Sequence, residues 1–231
     1  SRWTEPDTLR PDIRREQTVP ECTVGSEIKL YRFSDRLPQR DERLGWTGDA
    51  QVFSGTASFN MDTTAFYHKF LHDLRNEQVK YDGILPGVIP VLDPNGPIFS
   101  SVWGDIATIL PMVVYEHSGN VETLRENYPM MKDWVDKITK EDKARGQKYL
   151  YDFGNQLGDW LALDGRTEQS MEGGTDAYYI GSNYYAMSVQ KTATAAEILG
   201  YKEDEAYYKD LYEKIKAAII REYFTETGRL A

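Results

Sequence analysis

Apolar residues recur along most of this chain every three or four positions and almost never alternate, a spacing that restricts it to packed helices. Phe66, Phe70 and Leu74, widened by Tyr67 and Leu71, predict a helix within 55–78. The run 101–119 predicts a second, with Pro111 as a kink or near its start and Gly119 as its stop. Leu124, Tyr128, Met131, Val135 and Ile138 predict a third over 120–143, with Asn120 as its N-cap. Two more are expected over roughly 176–199 and 203–223, parted by Gly200. Between them, 81–100 and 144–174 are long loops, the first rich in Pro and Gly, and structured loops of that length commonly carry function. The expected fold class is therefore all-α, with helices in up–down pairs and loops at one repeating location. No tetratricopeptide-like period is evident.

Composition excludes several classes of function. A net charge of −10 and the lack of a basic stripe argue against a nucleic-acid partner. No apolar run is long enough for a transmembrane helix, so no membrane partner is expected. One cysteine, Cys22, permits no disulfide within the chain. Phosphate loops and dinucleotide fingerprints are absent. No leader is read at the N-terminus, which favours a cytoplasmic location without fixing it, since the chain opens on Ser1 rather than Met. The 16 Tyr and 5 Trp serve core packing first, and aromatic faces also line sugar clefts.

The densest chemistry lies in PQRDERLGWTGD, residues 38–49. Asp41 and Glu42 sit between Arg40 and Arg43, and Asp49 follows a Gly-Trp-Thr-Gly turn. An acid flanked by arginines is ordinarily a salt-bridged surface group. Glycines, however, permit a tight irregular backbone, and a neighbouring Trp can desolvate a carboxyl and raise its pKa toward that of a general acid. Trp103 in VWGD and Trp160 in LGDW each stand beside an acid in a loop region. Either is a core residue or a sugar platform. His68 and His72, four apart in HKFLH, have metal-ligand spacing, but no zinc-protease Glu accompanies them and the stripe around them is apolar, so no metal is expected.

The segment PQRDERLGWTGDAQVFSGTASFNMDTTAFYHKFLHDLRNEQ is similar to the signature of glycoside hydrolase family 78, the α-L-rhamnosidases. The similarity continues through DGILPGVIP, VWGD, ENYPMMKDWVDKI, GDWLALDG and the AAEILG…YYKDLYEKIKAAIIREYF pair, and so covers 38–231. It implies an (α/α)6 toroid, the six-hairpin glycosidase fold. It also implies inverting hydrolysis of terminal α-L-rhamnosyl groups, in which one carboxyl protonates the glycosidic oxygen and a second carboxylate activates water. Glu42 matches the family's general acid. Arg40, Trp46 and Asp49 match residues that line the rhamnose pocket, and Trp103 and Trp160 match its aromatic walls. The implied partner is a rhamnose-containing glycoside or oligosaccharide, and no cofactor is implied. The family's general base belongs to the second half of the toroid, which lies beyond Ala231. The chain is thus expected to be an incomplete, inactive fragment with about half of the toroid, self-associating through unpaired helix faces.

Residues 1–37 look unlike the rest: polar, with three Pro and no sustained period, they read as a separate irregular segment before the partial catalytic domain at 38–231. Where the family reads Asn-Phe-apolar-Asp-small-Pro-Thr-Asp-Cys, this chain has LYRFSDRL at 30–37. Codons AAA CTT TAT CGA TTC TCC GAC CGA CTG for Lys29–Leu37, read one base later, give Asn-Phe-Ile-Asp-Ser-Pro-Thr-Asp and then begin Cys. The expectation is that 1–37 are translated out of frame, and coding DNA that does not spell the motif in the shifted frame would remove it. Arg36 then stands where the family's first pocket Asp belongs, and Asp35, one residue off, does not inherit that role. Two other readings remain open. One is a catalytically inactive helical carbohydrate-binding or interaction module, marked by sugar binding without turnover. The other is a six-hairpin glycosidase for another sugar, which a panel of aryl glycosides would reveal.

Overall fold

The computed structural model describes residues 44–91, 97–162, 164 and 171–230. The segment 1–37, and Arg40 and Glu42 of the charged motif, lie outside the described residues. Six helices follow in order within them: α1 Thr47–Asn60, α2 Thr64–Lys80, α3 Ile106–Ser118, α4 Val121–Ala144, α5 Ala177–Leu199 and α6 Lys202–Tyr223. Among the described residues the only extended pairings outside helices are isolated bridges, so the chain is all-α as its periodicity requires.

The helices form two layers. α1, α3 and α5 lie side by side, α1 against α3 and α3 against α5. Behind them, α2 packs on α3 and α4, α4 on α3 and α5, and α6 on α5. This succession of inner and outer helices is the one expected of part of a six-hairpin toroid.

Composition explains the layers. α3 has neighbours on several sides and is accordingly apolar nearly all round, with Ile106, Ala107, Ile109, Leu110, Met112 and Val114 buried. It runs through Pro111 rather than stopping there. α5 carries small residues on its buried face (Gly181, Ser182, Ala186, Ser188, Ala193 and Ala196 among them), which lets neighbouring helices approach closely. One of its buried hydroxyls is satisfied within the helix: the Thr192 hydroxyl donates to the Ser188 carbonyl at 2.8 Å. The outer helices are one-sided. α6 buries Tyr208, Leu211, Ile215, Ala218 and Ile219 and turns its charges outward.

α4 and α6 are joined through polar tips of aromatic residues. The Tyr128 hydroxyl donates to Asp204 at 2.8 Å, the Tyr208 hydroxyl to Asp136 at 2.7 Å, and Lys132 donates to the Tyr208 oxygen at 3.0 Å. Burial, reinforced by the bonded carboxylates, pushes both phenols well above the usual tyrosine range, so both remain donors at any physiological pH.

The helix ends follow their local chemistry. Asn120 caps α4, its side-chain oxygen accepting from the Glu122 and Thr123 amides at 3.0 and 3.4 Å. α3 and α5 stop at Gly119 and Gly200, whose φ values of 67° and 78° suit a residue without a Cβ. The expected single helix over 55–78 is in fact the end of α1 and most of α2. Met61 is extended, the Ser58 and Thr63 hydroxyls bond at 2.9 Å, and Asp62 accepts from the Thr64 amide at 3.0 Å. These local bonds offer the backbone an alternative to continuing the helix. α1 also starts well before the apolar pattern does, because its buried face is Ala50, Gln51, Ser54 and Ala57, too small and polar to leave a hydrophobic stripe.

Candidate active site

Trp46 immediately precedes α1, and three hydrogen bonds hold the turn around it to the Pro-rich loop. The Thr47 amide donates to Gly87 O at 2.9 Å, the Thr47 hydroxyl to the same oxygen at 3.1 Å, and the Ile89 amide to Gly45 O at 2.9 Å. Trp46 pairs with Val88 as an antiparallel bridge. Thr47 is fully buried, whereas Trp46 and Asp49 are half-buried. Asp49 lies in the first turn of α1, where exposed backbone N–H groups favour a carboxylate by about 0.3–1 kcal/mol.

The turn before α3 reaches the same place. The Gly87 amide donates to Ile98 O at 2.8 Å, and the chain then turns through 100–105 into α3. Trp103 lies against Gly48: a Cβ at 48 would stand 2.8 Å from the indole nitrogen and 2.9 Å from Cδ1 and Cε2. The motif's second glycine is therefore a seat for the indole, and any larger residue there displaces the ring or the helix start. Trp103 is only 8% exposed, so its ring is packed into the turn rather than presented as an open platform. Its indole N–H is buried without an acceptor among the described residues.

Each residue of VWGD has a distinct task. Val102 sits at φ 71°, a costly conformation for a β-branched residue. Its amide is held by Asp105 Oδ2 at 2.8 Å. Gly104 faces Trp134, and a Cβ there would meet the Trp134 ring at 2.1 Å. Asp105 is fully buried and accepts at Oδ1 from Trp134 Nε1 (2.9 Å) and Ser188 Oγ (2.5 Å), binding the start of α3 to α4 and α5. Burial pushes its carboxyl above the usual range even though all three hydrogen bonds oppose the shift. Asp105 occupies the N-cap position of α3 without capping it, because its oxygens are engaged by Trp134, Ser188 and the Val102 amide.

The loop carrying Trp160 docks on this turn through Gln156. The Ser101 amide donates to Gln156 Oε1 at 2.7 Å, and the Leu157 amide donates to Ser100 Oγ at 3.0 Å. Trp160 is 38% exposed and bridges Glu172, and its neighbour Asp159 accepts from the Gly173 amide at 2.7 Å and from the Thr175 hydroxyl at 3.2 Å. The loops preceding α1, α3 and α5 are thus sewn together at the N-terminal ends of the three inner helices. Sequence reasoning missed Gln156, Ser100 and Ser101. No local pattern marks them, since their partners are more than fifty positions away.

The histidine pair is placed differently from expectation. His68 and His72 are exposed, on the face of α2 opposite the buried Tyr67, Phe70, Leu71 and Leu74. Their third neighbour is Glu126 on α4, which lies 3.3 Å from His68 Nε2.

Residues 35–231 match the family model described as the bacterial alpha-L-rhamnosidase six-hairpin glycosidase domain. An alpha-L-rhamnosidase of Formosa agariphila is 40% identical over 187 residues, which is 81% of this chain and 19% of that protein. One from Alteromonas sp. is 35% identical over 191 residues, covering 82% of this chain and 20% of that protein. Among solved structures, native alpha-L-rhamnosidase from Aspergillus terreus superposes with a TM-score of 0.78 at 32% identity, over 90% of this chain and 24% of that one. The Streptomyces avermitilis alpha-L-rhamnosidase complexed with L-rhamnose gives 0.71 at 28% identity, over 92% of this chain and 20% of that one. The chain spans about a fifth of the length of the curated relatives it matches.

Proposed function

Because the chain belongs to the bacterial α-L-rhamnosidase six-hairpin glycosidase family, we propose that it supplies the general-acid side of an inverting active site that releases terminal α-L-rhamnose. The observation that carries this reading is the Gly45–Asp49 turn. It follows the acidic motif directly and is seated on Trp103 and on the loop at 86–89. Glu42 protonates the glycosidic oxygen as the bond from C1 to that oxygen breaks. A carboxylate supplied from outside this chain takes a proton from water, whose oxygen attacks C1 from the opposite face, so the anomeric configuration inverts. Arg40 and Asp49 hold the sugar hydroxyls by charge-assisted hydrogen bonds, Trp46 offers the ring an apolar face, Trp103 backs the site, and Trp160 borders it. The segment before the domain carries Arg36 in place of the first pocket Asp, so restoring the reading frame over 29–37 belongs to any active form.

The test is a paired assay on an aryl α-L-rhamnoside. The 231-residue chain is compared with a form extended by a family-like second half, with the 29–37 frame restored. Turnover in the extended form alone is expected. Turnover by the chain alone would sink the fragment reading, and L-rhamnose binding by both without turnover by either would favour the carbohydrate-binding module.

The same reading expects self-association of the isolated chain. Val52 and Phe59, seven apart on one face of α1, are 71% and 83% exposed, opposite the face that packs inward. Sedimentation velocity should show dimers or larger species that dissociate when Phe59 is replaced by Lys; a monomer at all concentrations would contradict it.

A further inference from the structure

We propose that His68, His72 and Glu126 form a zinc site that clamps α2 to α4. The two imidazoles stand one helical turn apart on one face of α2, with ring centroids 4.8 Å apart in an edge contact. Glu126 approaches them from the second turn of α4, its carboxylate 3.3 Å from His68 Nε2. One ligand atom from each of the three residues lies within 4.8 Å of the others. A tetrahedral zinc ion with bonds of about 2.0–2.1 Å needs its ligand atoms about 3.3–3.4 Å apart. The His68–Glu126 pair already meets that spacing. Rotation about exposed side-chain torsions brings in His72 without moving either helix.

The donor set selects the ion. Two neutral nitrogens and one carboxylate oxygen suit a borderline divalent ion such as Zn2+, whereas Ca2+ and Mg2+ require a shell made chiefly of oxygens. The neighbouring cations do not compete for Glu126, since Lys69 pairs with Asp73 and Arg125 with Glu122. Water fills the fourth position. The role is structural. The three ligands come from two helices, α2 and α4, and all three side chains stand exposed at the surface. The clamp joins two outer helices that are otherwise linked at their partly exposed surface by the Arg75–Asp133 pair.

The experiment titrates Zn2+, as the chloride, into the 231-residue chain by calorimetry. Alongside are His68→Ala/His72→Ala, Glu126→Gln and a control, His117→Ala, that removes the remaining histidine. The expected result is one zinc per chain, with affinity lowered about 10-fold or more by Glu126→Gln, lowered further by the double histidine change, and unchanged by His117→Ala. Co2+ should give the visible d–d bands of a tetrahedral site in the parent chain and lose them in the double variant. Zn2+ should raise the thermal midpoint of the parent but not of the double variant. All substituted residues are exposed, and equal helicity by circular dichroism establishes that the variants are folded. Equal zinc affinity in parent and double variant would overturn the proposal, as would no binding to the parent at submillimolar zinc.

Discussion

Replacing Glu42 by Gln in the extended, frame-restored enzyme is expected to lower hydrolysis of an unactivated rhamnoside by about 10^2–10^4-fold, the usual contribution of a positioned general acid. The amide keeps the shape and some hydrogen bonding of the acid but cannot deliver a proton to the departing oxygen. The loss should therefore depend on the leaving group. A nitrophenolate leaves with little need of protonation, so the deficit on nitrophenyl rhamnoside should be much smaller than on an alkyl or glycosyl rhamnoside. KM should change little, because the proton is transferred only as the transition state forms. The alkaline limb of the pH–rate profile should disappear as well. An equal deficit on both classes of substrate would assign Glu42 to substrate positioning instead. This separates Glu42 from Asp49 and Arg40, whose removal should weaken binding of every rhamnoside regardless of leaving group.

The second large effect concerns stability. Asp105→Ala is expected to destabilise the chain by about 3–5 kcal/mol. Three buried donors, the Trp134 indole, the Ser188 hydroxyl and the Val102 amide, would lose their acceptor together. Each unsatisfied group costs about 1–3 kcal/mol, and the costs overlap because the three share one carboxylate. Without the Val102 bond the positive φ of that residue also loses its support. Asp105→Asn should cost less, since its oxygen can still serve Trp134 and Ser188 and only the Val102 amide faces a second donor. Urea unfolding measures both, read from the midpoint at constant slope. A loss below about 1 kcal/mol for the alanine variant would mean that the carboxylate is dispensable.

The same residue carries a pH signature. The folded carboxyl holds its proton more tightly than the unfolded one, because burial raises its pKa. Its protonated form therefore contributes stability that is fully present below the ordinary aspartate range and lost as pH rises through the raised folded value. The parent chain should lose stability over that interval, and Asp105→Ala should remove that component of the slope.

Much of the architecture was legible from residue spacing. The buried face of α4 was readable from its apolar positions, and the stops at Gly119 and Gly200 and the Asn120 cap from residue type. Helix periodicity is a relation between neighbours three and four apart, so the sequence alone contains it. The same holds for the charged motif before α1, whose resemblance agrees with the family model over 35–231.

Other features depended on contacts between distant residues. α1 was hidden because its inward face is small and polar, and the break at 61–63 arose from side-chain bonds that an apolar stripe does not report. The Asp of VWGD looked like a companion to a sugar-facing Trp; it is a buried link between α3, α4 and α5. His68 and His72 looked embedded in an apolar stripe, but they face outward toward a carboxylate on another helix. The family signature and the local period were determined by the sequence itself. Only the packed structure decided that Gln156 joins the loop before α5 to the turn before α3, and that Trp103 rests on Gly48. The physical reason is range: a helix closes its bonds within four residues, whereas a site assembled from three loops is defined by contacts that exist only after the helices have packed.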